Sequence, residues 1–187
     1  MDSSHARPAS LTASVNRALS RLSRIFETSP PAAHGSRSQP SIDNPFPGRP
    51  RVMLADDEPV NHFAIEALLW LRGIRPIHAA DGAEAVALAC DNHFDLILMD
   101  IQMPILDGLN AAAHIRRHER AHGHPSAPIV AYTSSALAHA PEKLRAFGID
   151  GSLAKPCTAV SLEHCLARWC TDGSRPMRAA RGLAGSG

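Results

Sequence analysis

Hydrophobic and polar positions change their rhythm near residue 51. Beyond it, short apolar runs of strand length alternate with stretches whose apolar residues recur every three or four positions. Val52, Met53 and Leu54 form a first strand that ends in two adjacent carboxylates, Asp56 and Asp57. Pro59 suits the first turn of a helix, predicted to place Val60, Phe63, Ala64, Ala67, Leu68 and Leu71 inward and to end at Gly73. A second strand is expected around Arg75 to Ala80, and Asp81 with Gly82 introduces a helix through about Cys90. Leu96 to Met99 is uninterruptedly apolar, which suits a strand covered on both faces, and Asp100 ends it. Asp107 can cap a helix running from Gly108 through Ile115 toward His122. A fourth strand ends at Thr133, a helix follows over Ala136 to Phe147, a short fifth strand ends at Lys155, and a last helix spans roughly Ala159 to Cys170.

Five strands alternating with five helices predict an α/β domain over residues 51–170, a parallel sheet with helices on both faces joined by right-handed crossovers. Two flanking regions read differently. In residues 11–26, Leu11, Val15, Ala18, Leu19, Leu22, Ile25 and Phe26 share one helical face, with Arg17, Arg21 and Arg24 mostly opposite. Such a segment could dock on a partner, self-associate, lie on an anionic membrane surface or pack back on the domain. The Pro/Ser/Gly-rich stretch 28–50 is expected to be a disordered linker, and the arginine-rich residues 171–187 a disordered tail.

Composition narrows the possible partners. A net charge of +1 implies no general attraction to nucleic acid or anionic membrane. Cys90, Cys157, Cys165 and Cys170 form no CxxC pair, the N-terminus lacks a secretory pattern, and no apolar run reaches membrane-helix length. A cytoplasmic protein with reduced thiols is therefore expected. Lys143 and Lys155 are the only lysines among 19 basic residues, which makes the place of each informative.

Parallel strands all point the same way, so their carboxyl ends gather on one edge, where open α/β sheets bind ligands. That edge collects Asp56 and Asp57, Asp100, Thr133 and Lys155. Three carboxylates in one small site repel each other, and a unit-charge pair about 4 Å apart costs several kcal/mol at an effective dielectric near 20. A divalent cation relieves this, and an all-oxygen set with room for water suits Mg²⁺ or Mn²⁺ better than Zn²⁺. Such a site could draw in a phosphoryl group, with Asp100 as the nucleophile, Lys155 pairing its charge and Thr133 donating to one of its oxygens.

These residues resemble the receiver domain of two-component response regulators, especially receivers attached to hybrid histidine kinases. The matching pieces are ADDEPVN (Ala55 to Asn61), ADGAEA (Ala80 to Ala85), LMDIQMPILDG (Leu98 to Gly108), Thr133 with Ser134, and LAKP (Leu153 to Pro156), over about 120 residues. The resemblance implies a flavodoxin-like sheet of order 2-1-3-4-5. It implies that Asp100 is the phosphoacceptor, Asp57 the direct metal ligand, Asp56 its partner, often through water, and the backbone carbonyl of Gln102 a further metal contact. Thr133 and Lys155 match the switch hydroxyl and the phosphate-binding lysine. The family commonly has Tyr or Phe three residues before that lysine, where this chain has Ser152. Tyr132 is a poor substitute, because adjacent strand residues face opposite ways.

The expected partners are a histidine kinase or histidine phosphotransfer protein and a downstream protein target, without direct DNA binding. The alternative is a pseudo-receiver scaffold acting through its N-terminal helix without phosphorylation; a conventional phosphohydrolase is disfavoured, since no substrate pocket is evident. His114, His118 and His122, at i, i+4 and i+8, with His124, suggest a metal site, but the interleaved Arg116, Arg117, Glu119 and Arg120 suit a solvated helix end better.

Overall fold

The computed structural model describes residues 48–134 and 140–170, apart from the side chains of 59–61. The predicted helix 11–26, residues 28–47 of the linker and the tail 171–187 lie outside the described residues. In chain order the elements are β1 (Val52–Ala55), α1 (Pro59–Trp70), β2 (Ile77–Ala79), α2 (Gly82–Asp91), β3 (Leu96–Met99), α3 (Gly108–His122), β4 (Ile129–Thr133), α4 (Pro141–Ala146), β5 (Gly151–Ala154) and α5 (Ala159–Trp169). All strand pairs are parallel and the sheet order is 2-1-3-4-5, as expected.

The unbroken apolar runs are explained by burial on two sides. Met53, Ala55, Ile97, Met99, Ile129 and Ala131 pack with Val86, Ala111, Ile115 and Leu144 of α2, α3 and α4. Alternate residues Val52, Leu54, Leu96, Leu98, Val130 and Tyr132 pack with Ile65, Leu69, Leu162 and Cys165 of α1 and α5. Each central strand thus buries both of its faces, consistent with the two-residue period of a strand.

α1 departs from the expectation. Its inward residues are Ile65 and Leu69, with Leu68 partly buried, while Phe63, Ala64, Ala67, Trp70 and Leu71 face out. The helix carries two apolar stripes, and polar anchors decide between them. His62 Nε2 donates to the Asp56 carbonyl at 3.0 Å, its ring stacks on His78 of β2 with centroids 4.9 Å apart, and His78 bonds Glu66 Oε1 at 2.7 Å. These contacts fix the rotation of the helix about its axis and bring the Ile65–Leu69 stripe onto the sheet.

The remaining differences are smaller. β2 is limited to three residues, and α4 starts at Pro141, residues 135–139 being outside the description. β5 ends at Ala154, so Lys155 is the first residue beyond it.

The solvated-end expectation for α3 fails at two residues. Arg116 and Glu119 are buried: Arg116 donates from Nε to the Gly148 carbonyl (2.9 Å), from NH1 to Glu119 Oε2 (2.7 Å) and from NH2 to Asp150 Oδ2 (2.7 Å). Both carboxylates also accept backbone N–H groups, Glu119 from Ala127 and Asp150 from Ile129. A guanidinium can be buried here because three acceptors meet its planar fork. Gly148 at φ +84° leaves room for it, since a Cβ there would lie 2.5 Å from Arg116 Cγ.

Asp107 caps α3 as expected, accepting from Asn110 N–H at 2.8 Å. Gly108, the first residue of α3, lies so close to Asp100 that a Cβ would overlap its backbone carbonyl. Gly108→Ala is therefore expected to destabilise the fold by about 1–3 kcal/mol, the cost of overpacking, measurable by urea denaturation.

Candidate functional site

Backbone hydrogen bonds carry the sheet past its regular strands and fix the site's base. Asp56 N–H donates to the Ala79 carbonyl (3.1 Å), Asp100 N–H to Ala55 (2.8 Å) and Lys155 N–H to Thr133 (3.2 Å). Asp56, Asp100 and Lys155 thus each sit one step beyond a strand, with the main chain held by a neighbouring strand.

Asp56, Asp57 and Asp100 converge, one carboxylate oxygen from each lying within 4.8 Å of the others. Asp56 is 1% exposed and Asp100 8%, while Asp57 is the most accessible of the three. Lys155 Nζ reaches across to Asp56 Oδ2 at 2.5 Å and to Asp100 Oδ2 at 2.6 Å. Burial alone would lower the pKa of this ammonium, but its hydrogen bonds and charge interactions with Asp100 and Asp56 outweigh burial and raise it. The remaining oxygens are oriented by local turns: Asp56 Oδ1 accepts from Glu58 N–H (2.9 Å) and Asp100 Oδ1 from Gln102 N–H (3.2 Å).

Three carboxylates against one ammonium leave a formal charge of −2, which one divalent cation would neutralise. The donor set is all oxygen, which fits Mg²⁺ or Mn²⁺. Asp57, Asp100, Gln102, Tyr132, Ser134 and Lys155 border a cavity of about 580 Å³ at this edge. The described residues thus do contain a pocket where the sequence offered no evident one. The Lys155–Pro156 peptide beside it is cis.

The expected site residues are placed unequally. Asp56, Asp57, Asp100 and Lys155 come together, and Gln102 lines the same cavity. Thr133 ends β4 with its side chain buried, and the aliphatic hydroxyl residue on the cavity wall is Ser134. Ser152 is exposed in the edge strand β5, in register with Ala131.

Two further neighbours bear on the site: Tyr132, which the sequence reading set aside, and His62, which it missed. Tyr132 does face the opposite side of the sheet from Thr133, yet Lys155 Nζ lies 5.0 Å from its ring centroid, so the aromatic face supports the ammonium. His62 Nε2 lies 4.0 Å from Asp56 Oδ1. Its position in the first turns of a helix that starts just past a carboxylate pair was the available signal.

Among the described residues, no group of three His, Cys, Asp or Glu ligands besides the acidic trio converges within that distance. The His118 and His122 rings stack with centroids 4.1 Å apart, and His124 meets His118 edge-on at 5.5 Å. The four cysteines are free thiols, and burial raises the pKa of Cys90 and Cys165 to about 11 and of Cys170 to about 12, so they are poor thiolates. No described helix is long and apolar enough to cross a membrane.

Comparison with known proteins agrees with this geometry. Residues 52–167 match the family model described as the response regulator receiver domain. Sensor protein GacS of Pseudomonas syringae pv. syringae is 37% identical over 120 residues, covering 64% of this chain and 13% of GacS. The autoinducer 1 sensor kinase/phosphatase LuxN of Vibrio campbellii is 33% identical over 120 residues, with the same coverages. The chain therefore spans only about an eighth of the length of these relatives.

Among solved structures, the receiver domain of sensor histidine kinase PA1611 from Pseudomonas aeruginosa PAO1, with a magnesium ion coordinated in its active-site cleft, is 38% identical with a TM-score of 0.57. That match covers 64% of this chain and 96% of that one. The receiver domain of the Saccharomyces cerevisiae response regulator Ssk1, co-crystallised with the histidine phosphotransfer protein Ypd1, is represented by a match of 29% identity and TM-score 0.59, covering 64% and 89%.

Proposed function

Because the chain belongs to the family of response regulator receiver domains, we propose that Asp100 accepts a phosphoryl group from a phosphohistidine of a kinase or phosphotransfer protein. The observation that carries this is the convergence of Asp56, Asp57, Asp100 and Lys155 at the mouth of one cavity. A carboxylate oxygen of Asp100 attacks phosphorus in line, the new O–P bond forms as the P–N bond to the donor imidazole breaks, and the imidazole takes up a proton. Lys155 follows the charge: its bond to Asp100 is exchanged for one to a phosphoryl oxygen, while Asp56 keeps it anchored.

Asp57, Asp56, Asp100 and the Gln102 carbonyl are the residues that would hold Mg²⁺ or Mn²⁺. When bound, the ion neutralises phosphoryl oxygens and helps align them. The family neighbour with magnesium in its cleft supports this assignment. Thr133 is proposed as the hydroxyl that meets the phosphoryl group, by movement of the β4 end. Phosphorylation adds about 1.5 to 2 negative charges, and output runs through protein contacts. With Ser152 in place of an aromatic residue, transmission relies on Thr133 and the segment after it. A cytoplasmic setting is part of the same proposal.

The test is labelling of the full chain by a histidine-phosphorylated donor protein and, separately, by acetyl phosphate. The expected product is a hydroxylamine-labile phosphoryl group whose formation stops on chelation of the divalent cation. Failure of every donor to label the chain would favour the phosphorylation-independent scaffold. Metal binding is checked independently by thermal denaturation: saturating Mg²⁺, at about 100 times its dissociation constant, is expected to stabilise the wild type by about 2.7 kcal/mol and Asp57→Ala far less.

A further inference from the structure

The Lys155 ammonium has an aromatic neighbour as well as two carboxylates. Its Nζ lies 2.5 Å from Asp56 Oδ2, 2.6 Å from Asp100 Oδ2 and 5.0 Å from the centroid of the Tyr132 ring. That ring is 2% exposed, borders the cavity beside Asp100 and is backed by the core that joins the sheet to α1 and α5. The strands place the two residues together. Tyr132 is in register with Leu153 across the β4–β5 ladder, and Lys155 follows two residues later, on the same side by strand alternation. The main chain of Lys155 is tied to β4 as well, its N–H donating to the Thr133 carbonyl.

We propose that Tyr132 is a positioning residue for phosphoryl transfer to Asp100: its buried ring face holds the Lys155 ammonium in the site while that ammonium exchanges Asp100 for a phosphoryl oxygen. The proposal rests on the phosphoacceptor reading and adds a residue to it.

The physical reason lies in what happens to the lysine as one of its carboxylates is consumed. Before transfer, Asp56 and Asp100 both accept from Nζ. Once an Asp100 oxygen is bonded to phosphorus, Asp56 is the carboxylate left to anchor a flexible four-carbon stem. A hydrogen bond holds its partner in one direction, whereas a ring quadrupole attracts a cation anywhere above its face within about 6 Å of the centroid. The ring therefore keeps its hold while the ammonium changes oxygen partners. Burial makes the attraction stronger than it would be at an exposed site. The phenol also stays neutral: burial, then the Cys157 thiol, push its pKa above the usual tyrosine range, and Lys155 offsets this only in part. The ammonium thus faces a ring and not a phenolate.

Ring fluorination tests the role, because it drains the negative charge from the ring face with little change of shape. Tyr132→Phe, and phenylalanines with one, two and three ring fluorines at position 132, are compared in the full chain, with acetyl phosphate as donor in Mg²⁺. Tyr132→Phe is expected to label within about twofold of the wild-type rate at saturating donor, and Tyr132→Leu about tenfold more slowly. The rate is expected to fall with each added fluorine, to about a fifth or less with three. Mg²⁺ affinity, read by thermal denaturation, is expected to stay within about twofold throughout, since the metal-holding residues are untouched. A ring that only fills the core would give equal rates across the fluorinated series. That result, or a Tyr132→Phe rate as low as that of Tyr132→Leu, would overturn the proposal.

A second readout needs no phosphoryl group. Tyr132 is the single tyrosine of the chain, so meta-fluorotyrosine gives one fluorine NMR signal. This signal is expected to shift when Lys155→Met removes the ammonium, and an unchanged signal would refute the contact in solution. A chain that shows the shift but takes no phosphoryl group from acetyl phosphate or a protein donor refutes the phosphoacceptor reading itself, whereas labelling indifferent to fluorination refutes only the role of Tyr132.

Discussion

Asp100→Asn is expected to reduce Mg²⁺-dependent phosphoryl incorporation by about 100-fold or more, because an amide oxygen lacks the charge and nucleophilicity of a carboxylate. The substitution is nearly isosteric, and the local structure should survive it. Asp100 N–H keeps its bond to the Ala55 carbonyl, and Lys155 retains Asp56 Oδ2 as a partner at 2.5 Å. The variant is therefore expected to unfold at a similar denaturant concentration while failing to label. Incorporation equal to wild type, by a donor protein or by acetyl phosphate, would move the nucleophile elsewhere.

The largest effect on stability is expected from Arg116→Met, about 3–5 kcal/mol of destabilisation. Removing the guanidinium takes a charged partner from both the Glu119 and the Asp150 carboxylates, which the backbone donors Ala127 and Ile129 do not replace, in a place with little access to water. Urea denaturation reads the loss directly. Adding Glu119→Gln and Asp150→Asn to Arg116→Met is expected to recover part of it, since the two carboxylate charges themselves disappear. If Arg116→Met alone were neutral, the cluster would contribute packing rather than charge compensation. The network ties α3 to the start of β4 and of β5, at the edge opposite the carboxylates, so labelling at Asp100 should persist in whatever fraction remains folded.

These two residues mark what can and cannot be read from a linear pattern. Asp100 was legible because Leu96 to Met99 admits little but a strand buried on both faces, and a carboxylate at its end has a defined place in a parallel sheet. The same logic brought in Asp56, Asp57 and Lys155. Arg116 was not legible, since its partners Gly148 and Asp150 lie more than thirty residues away and its neighbours on the helix are polar. α1 misled for a different reason. Both of its stripes satisfy helical spacing, and the choice is made by His62 and Glu66 meeting Asp56 and His78, contacts that exist only after β1 and β2 pair. Tyr132 faces away from the site in strand alternation, yet it touches the site because the long Lys155 side chain bends over its ring. The strand ends thus carried the chemistry in sequence, while the surfaces that support it emerged only from packing.

The most direct test of the central claim is to locate the phosphoryl group itself. The full chain, labelled in Mg²⁺ and reduced with borotritide to convert any aspartyl phosphate into tritiated homoserine, is digested and sequenced by mass spectrometry. The expected result is tritium confined to the peptide bearing Asp100, and absent when the cation is chelated before labelling. Tritium at Asp56 or Asp57 with Asp100 unmodified would contradict the assignment.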